Sequence, residues 1–343
     1  MKNRVPIIVA VTFLAALHLV IFLAGSIAPH DPTEQNRDFT FAPPTAIHFV
    51  DAGGHFHFRP FVYQIVSRPE GFNEYQENRE RQYAIQFFVE GSQYKVAGFL
   101  PCRTHLFGVM GEGQIFLAGT DAYGRDQFSR ILYGGQISLA AGVLATGISL
   151  FIGLCIGCAA GFYGTWVDDS AMRFVELFLV LPWLYVLLAV RSFLPLHLAP
   201  AQTFFLLVAV IGAIGWARPA RLVRGIVLSA KNRGYVRASR GFGASDFHLL
   251  RRHVLPETYG VLLTQAALLI PQYIVAEVTL SFLGLGLSEP TPSWGSLLAT
   301  LQQYHVLASY WWMFMPAVAM VIVTLGYLQV ANALHEHIQS GSI

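Results

Sequence analysis

Glu176 and Glu277 stand isolated as carboxylates within long apolar stretches of the chain. An ionisable group held inside a membrane is costly and is by default functional, so the chemistry open to these two is proton or cation handling. Two isolated acids in separate stretches do not make the relay of carboxylates that a proton-driven pump requires. Cys155 and Cys158 form a C-x-x-C, a redox or metal-site spacing, but they lie in an apolar, glycine-rich run. Small polarisable side chains there read as packing. His48, His55 and His57 sit on an alternating stretch and fit either a metal site or a solvent-facing strand; the strand reading, with Phe56 and Phe58 turned inward, is the one adopted. The sequence has no H-E-x-x-H, no G-x-S-x-G and no G-x-x-x-x-G-K-S/T, so it offers no zinc helix, nucleophile elbow or phosphate cradle. No catalytic residue, metal or bound cofactor is expected.

The elements that position these residues are apolar blocks. Of the 343 residues, 54% are hydrophobic and only 12% charged, against about 25% charged in soluble domains; mean hydropathy is +0.50. Length alone suggests two domains, but a block of about 20 apolar residues crosses a bilayer. Six blocks qualify: Val5–Ala28, Ile137–Tyr163, Ala171–Leu194, Ala201–Ala217, Gly260–Leu283 and Tyr310–Leu334. The first exceeds the about 7–15 residues of a signal-peptide core. It reads as an uncleaved span started by Lys2 and Arg4 in the cytoplasm. Pro182, Pro271 and Pro316 lie inside spans, where neighbouring helices satisfy the freed carbonyls. Gly153, Gly157 and Gly161 recur every fourth residue as a close-packing face, which suits a helical bundle and a partner subunit.

Charge orients the spans. Residues Arg218–Glu257 carry nine Lys/Arg against only Asp246 and Glu257, whereas 195–200 and 284–309 carry no Lys or Arg. The positive-inside rule then puts both termini and 218–257 in the cytoplasm. Pro29–Gln136 has nine basic and twelve acidic residues, and long loops are largely exempt from that rule. Within it, "AIHFVDAGGHFHFRPFVY" alternates about a Gly-Gly turn and "YAIQFFVEGSQYKVAGF" about Gly91-Ser92; both predict β-hairpins. The divisions are therefore 1–28, a first span; 29–136, an outside region; and 137–338, a five-helix core with its loop at 218–257.

That loop contains six basic residues, counting two histidines, between Gly234 and Glu257. Tyr235, Ala238 and Phe242 align on one short helix. Ser245 caps a second, on which Phe247, Leu250 and Val254 align and which Pro256 ends after Leu255. Gly241 and Gly243 permit the bend between them. Docking into a groove on a soluble partner fits this shape, and so does contact with anionic lipid.

Three stretches resemble one family. Arg237-Ala238-Ser239, Gly243 and Val254-Leu255-Pro256 resemble the cytoplasmic "EAA" loop of ABC-importer permeases, with the glutamate and second alanine replaced. "GTDAYGRDQFSRILYGG" (Gly119–Gly135) resembles the G-T-D-x-x-G-R-D-x-x-S-R motif of C-type permeases in dipeptide, oligopeptide and nickel importers. "AEVTLSFLGLGLSEPTPSWGSLL" (Ala276–Leu298) resembles their A-E-x-x-L-S-F-L-G-L-G…P-S-W-G segment. The outside insertion at 38–115 departs from the short form and is similar to the branch serving longer or modified peptides, such as microcin C-type importers.

The resemblance implies an all-α polytopic protein of the inner membrane, with six transmembrane helices and a small β-rich extracytoplasmic insertion. It implies an ATPase-coupling loop of Tyr235, Arg237, Ala238, Ser239, Gly243, Ala244, Ser245, Phe247, Leu250, Leu255 and Pro256. It assigns Gly119, Thr120, Asp121, Gly124, Arg125 and Asp126 to an outside motif, and Glu277 and Pro271 to a translocation path. The implied partners are a second homologous permease, two ATPase subunits that bind ATP and magnesium, an extracytoplasmic substrate-binding protein and the lipid bilayer, with no nucleic acid. Peptides are the implied cargo, with nickel or another small solute as the alternative. A self-sufficient secondary transporter is the rival from another class.

Overall fold

The computed structural model describes residues 5–67, 74–96, 100–193, 195 and 198–339. Lys2 and Arg4, read as the anchor of the first span, and Leu194, read as the end of the third, lie outside these. By contacts the chain divides into two compact units: residues 1–14, 139–280 and 323–343 form one, and residues 15–138 and 281–322 the other.

The second unit carries the sheet. Strands β1 (His48–Val50), β2 (Phe56–Ser67), β3 (Tyr75–Val96) and β4 (Leu100–Val109) run antiparallel in the order β1-β2-β3-β4. The first hairpin is as expected: Asp51 turns the chain, its Oδ1 accepting from the amides of Gly53 and His55 at 2.9 Å each. The second differs. No turn forms at Gly91-Ser92; β3 runs on to Val96, which pairs with Leu100, and the ladder only shifts register between Glu90 and Tyr94. Gly91 is used for close approach instead, because a Cβ there would come within 2.6 Å of the His105 ring.

The strand faces also differ from expectation. Phe56 is 62% and Phe58 95% exposed, while Phe61, Val62 and Tyr63 are buried on both faces of the strand. The stretch is polar–apolar alternating up to Phe58, and two-sided afterwards, so alternation alone misassigned the face. The histidines pair with carboxylates: His48 Nε2 lies 2.9 Å from Glu77 and His57 Nε2 3.0 Å from Asp51.

Helices build the rest: α1 (Val5–Phe22), α2 (Ala24–Ile27), α3 (Gln127–Tyr163), α4 (Thr165–Val180), α5 (Trp183–Phe193), α6 (Pro200–Ile214), α7 (Ala217–Ala230), α8 (Gly234–Gly241), α9 (Asp246–Leu249), α10 (Leu255–Phe282), α11 (Trp294–Ala299), α12 (Tyr304–Ser309) and α13 (Met315–Gln339). By length and composition, α3, the run from Asp246 through α10, and Trp311–Glu336 can each cross a membrane; α1 is a shorter apolar helix. The third and fourth expected spans are instead bent pairs. Helices α4 and α5 meet at 90°, and α6 and α7 at 46°. Pro182 explains the first break: it disfavours helical backbone at the preceding residue, and Leu181 is extended (φ −69°, ψ 133°). Helix α7 carries Arg218, Arg221 and Arg224 and begins where the expected fourth span ends. Its signal was apolar spacing, since Ala220, Val223 and Val227 are all 0% exposed on one face.

That face meets the glycines of α3. A Cβ on Gly157 or Gly161 would come within 2.8 Å of Val223 or Val227 respectively, and one on Gly153 within 2.7 Å of Pro219. The glycine row is therefore filled by the chain's own α7, not left for a partner subunit. Close backbone approach is what small residues provide where lipid gives helices no hydrophobic drive. Two polar contacts fix the same region: Arg224 forks onto Asp168, with Nη2 2.6 Å from Oδ2, and Lys231 Nζ donates to the Gly161 carbonyl at 2.7 Å. The latter sets a cation on the open carbonyls ending α3, where the helix dipole favours it.

Candidate functional site

In the motif Gly119–Asp126, Ala122 and Tyr123 are exposed, while Gly119, Thr120, Asp121, Gly124, Arg125 and Asp126 are buried and each has a structural task. Gly119 (φ 68°) passes so close to Ala42 that a Cβ would sit 2.7 Å from its carbonyl oxygen. The Thr120 hydroxyl accepts from the Ala42 amide at 2.7 Å, and its carbonyl accepts from Trp312 Nε1 at 3.0 Å. Gly124 (φ 69°) has no room for a Cβ against the Asn36 backbone. Asp126 caps α3, its Oδ2 accepting from the Ser129 amide at 2.9 Å. This cap starts α3 ten residues earlier than hydropathy alone placed the span, because the first turns are polar yet hydrogen-bonded.

Asp121, Arg125 and Arg130 form an ion lattice with a residue far along the chain. Arg125 Nε donates to Asp121 Oδ2 at 2.7 Å, and its Nη1 and Nη2 reach Glu289 at 2.6 and 3.2 Å. Arg130 Nη2 donates to Glu289 at 2.9 Å and Nη1 to the Pro32 carbonyl at 3.2 Å. Two cations and two carboxylates compensate each other, as buried charges must. Burial alone would raise the Glu289 carboxyl, but hydrogen bonds and charge from Arg125 and Arg130 override it and hold it below the usual range. The same exchange holds Arg125 above its ordinary value: burial opposes the charge, and Glu289 and Asp121 outweigh it. Trp294, fully buried, donates Nε1 to the Ile131 carbonyl at 2.9 Å. The two motif stretches, 119–135 and 276–298, thus meet around Glu289 and Trp294.

The loop Gly234–Glu257 is built in the other unit. Val236, Leu249 and Val254 are its buried side chains, and they join Cys158, Phe162, Val223 and Val227 in one core. Burial of each such side chain contributes about 1.5–3 kcal/mol, so α8 and α9 are clamped rather than dangling. Phe247 is 72% and Phe242 93% exposed, as a docking face needs, whereas Leu250 is partly buried and Val254 departs from the outward stripe into the core. Ser245 does cap α9, accepting from the His248 amide at 3.3 Å, and Gly243 (φ 87°) makes the bend. Pro256 does not end the helix. Leu250–Val254 forms a π-helical turn that carries α9 straight into α10. The wider turn accommodates a ring that would otherwise strike a carbonyl one turn back.

Tyr235, Ala238, Ser239, Phe242, Gly243, Ala244 and Ser245 line an open groove. Arg237 is exposed and reaches Asn232 at 3.3 Å, while the Tyr235 hydroxyl donates to Glu257 at 2.8 Å. Leu255 and Pro256 lie on α10, outside the groove.

Glu277 is 0% exposed, Pro271 is buried in the same helix, and Glu176 is exposed. Neither Glu277 nor Pro271 borders the cavity of about 100 Å³ at the two helix breaks, which is lined instead by Leu181, Trp183, Gly215, Arg218, Gln272 and Tyr273 among others. Non-helical backbone at membrane depth is tolerated where it lines a cavity. The breaks were the missed signal, readable in Leu181-Pro182 and Gly215. Cys155 is exposed and Cys158 buried in the α3–α7 core.

The family model described as binding-protein-dependent transport system inner membrane component matches residues 153–341. That stretch holds the α3–α7 contact, the clamped loop, the helix breaks and Glu289. The chain belongs to this family. The permease is 37% identical over 219 residues to the dipeptide transport system permease protein DppC of Bacillus subtilis (strain 168), covering 64% of this chain and 66% of that one. It is 37% identical over 227 residues to the oligopeptide transport system permease protein OppC of Haemophilus influenzae (strain ATCC 51907 / DSM 11121 / KW20 / Rd), covering 66% and 70%. Both are C-type permeases, the group the motifs resembled. The crystal structure of an amino acid ABC transporter with histidines is similar at TM-score 0.44 and 19% identity, over 59% of this chain and 91% of that one. By its family and its apolar helices the permease is a helical, multi-pass inner-membrane component of a binding-protein-dependent transport system.

Proposed function

We propose that this chain is the C-type permease subunit of an ATP-driven peptide importer. The observation that carries the reading is the clamped helix pair: α8 and α9 present Phe242 and Phe247 outward while Val236, Leu249 and Val254 fix them to the core. An exposed aromatic pair on a rigid support suits a protein groove, because aromatic anchors dominate interface energetics. Two ATPase subunits would fill that role, with a second permease completing the path and an extracytoplasmic binding protein delivering cargo. Each bent pair counts as one span and α1 as another, giving six, with both termini in the cytoplasm. The cavity at the helix breaks is a better candidate for the path than Glu277 or Pro271. Peptide cargo follows the names of the relatives; nickel or another small solute is the alternative.

Reconstitution tests it. In liposomes the chain alone should neither hydrolyse ATP nor accumulate peptide, and adding the two ATPases, the second permease and the binding protein should restore both. Proton-driven uptake by the lone chain would establish a secondary transporter instead.

A further inference from the structure

Two adjoining cavities in the sheet-bearing unit share His30, Glu34 and Gln114. The larger, about 220 Å³, is bordered by β3 and β4 near the ladder irregularity; the smaller, about 30 Å³, reaches Asp126. Their combined lining includes Glu34, Glu90 and Asp126 and neither lysine nor arginine. Asp126 is 2% exposed, and its Oδ1 has no hydrogen-bond partner among the described residues, although Oδ2 caps α3. Burial raises this carboxyl, opposed by nearby His30 and the bonds from Ser129 and Phe128. His30 Nε2 lies 3.0 Å from the Ile115 carbonyl and must donate to it, which leaves Nδ1 of the neutral ring as an acceptor.

His105 sets both ring nitrogens on carbonyls, Nδ1 2.6 Å from Ala28 and Nε2 2.9 Å from Ser92. Even with that ring charged, three carboxylates leave the lining negative. No group of three metal-ligating side chains occurs among the described residues, so the geometry does not suit a divalent ion. Volume narrows the ligand further. The inner space holds two or three water-sized groups, at about 10–15 Å³ each. The outer space is below the about 300 Å³ of a pocket for a whole small ligand, and suits the end of a longer molecule.

We propose that this chamber receives the α-ammonium end of a peptide, with Asp126 Oδ1 and His30 Nδ1 as acceptors inside and Glu34 and Glu90 drawing the charge to the mouth. The proposal rests on reading the chain as a peptide permease with this unit outside. A buried charged hydrogen bond supplies the selectivity, since an acetylated terminus offers no cation and leaves Asp126 unmatched.

The test uses the assembled complex and a tripeptide whose first residue carries a photoreactive diazirine, in free-amine and N-acetyl forms. Uptake and adduct positions are both read. The free-amine form should place adducts on residues 89–92 and 113–115, about tenfold more than the acetylated form. Glu34→Gln combined with Glu90→Gln, and separately Asp126→Asn, should each remove most of that preference. The amide introduced by Asp126→Asn keeps an acceptor oxygen for the Ser129 cap, so α3 should still start in place. Equal labelling by the two peptides, or a preference kept by both variants, overturns the proposal. Normal uptake with no adducts in the chamber overturns it too, and leaves the peptide-permease reading standing. Neither uptake nor adducts would overturn both.

Discussion

Arg130 Nη2 lies 2.9 Å from Glu289 Oε1, although 159 positions separate the two residues. Arg125 shares the same carboxylate, and the two arginines are 4% and 1% exposed against 49% for Glu289. The family motif before α3 is thus half of an ion lattice whose other half stands far downstream.

Removing that other half should be costly. Glu289→Gln leaves two buried guanidinium groups sharing Asp121 alone. The loss should be roughly 2 kcal/mol, below the about 3–5 kcal/mol of a wholly buried pair, because Glu289 is half in solvent. Thermal unfolding of the purified protein in detergent reads this directly. An unchanged melting temperature would show that the lattice contributes nothing.

The α3–α7 contact predicts a contrast between two glycines of the same helix. Gly157→Ala should destabilise by about 1–3 kcal/mol, since the added methyl meets the Val223 side chain at 2.8 Å. Gly147→Ala meets nothing within 4 Å and should be neutral or favourable. Equal effects in a melting assay would refute the packing.

On the loop, Phe242→Ser with Phe247→Ser should leave the fold intact, because both side chains are exposed. Co-purification with the ATPase subunits and transport should each fall at least about tenfold, as for loss of an interface anchor. Val236→Ala and Leu249→Ala should instead lower the melting temperature. Normal transport by the double serine variant would remove the loop from coupling.

These contrasts also show what the sequence could and could not reveal. The apolar runs of α3, α10 and α13 were legible because a span needs only length and hydropathy. The hairpin at Asp51 was legible because Gly-Gly punctuates it. Misreadings came where one residue type serves two purposes. Gly91 marks a close approach to His105 rather than a turn, and Pro256 sits in a continuing helix relieved by a π turn. The stripe Phe247, Leu250 and Val254 was legible as a stripe, but helical spacing does not say that Val254 turns into the core while Phe247 stays exposed. The Arg125–Glu289 bond has no local signal at all. Both residues lay in motifs that were recognised, but nothing in either names the other.

Acidity should loosen the first hairpin. Asp51 is held well below the usual carboxylate range, chiefly by the His57 hydrogen bond and then by the amides of His55 and Gly53. A depressed folded value means the stabilisation is fully present above the unfolded value of about 4. It is lost as pH falls through the depressed folded one. Hydrogen exchange at 51–57 should therefore be faster in Asp51→Asn than in wild type at pH 7, and the two should converge in strong acid. A constant difference down to the lowest pH would contradict this.

Topology can be read with an impermeant thiol reagent after Cys102 is replaced. Phe58→Cys, at a site 95% exposed, should label from outside intact cells. Phe242→Cys should label only after the membrane is opened. The reverse pattern would invert the proposed orientation.

The π turn at Leu250–Val254 makes α9 and α10 one rod from Asp246 to Phe282, 37 residues long. At 1.5 Å per residue its axis is about 55 Å, longer than a hydrocarbon core is thick. A force on its Asp246 tip therefore meets no slack joint along the first turns of the rod. The wide turn holds one residue more than an α turn, and taking up or releasing that residue would twist everything beyond it by about 100°. Levers and ratchets are made from the same part here, and the difference between them is whether that turn stays put.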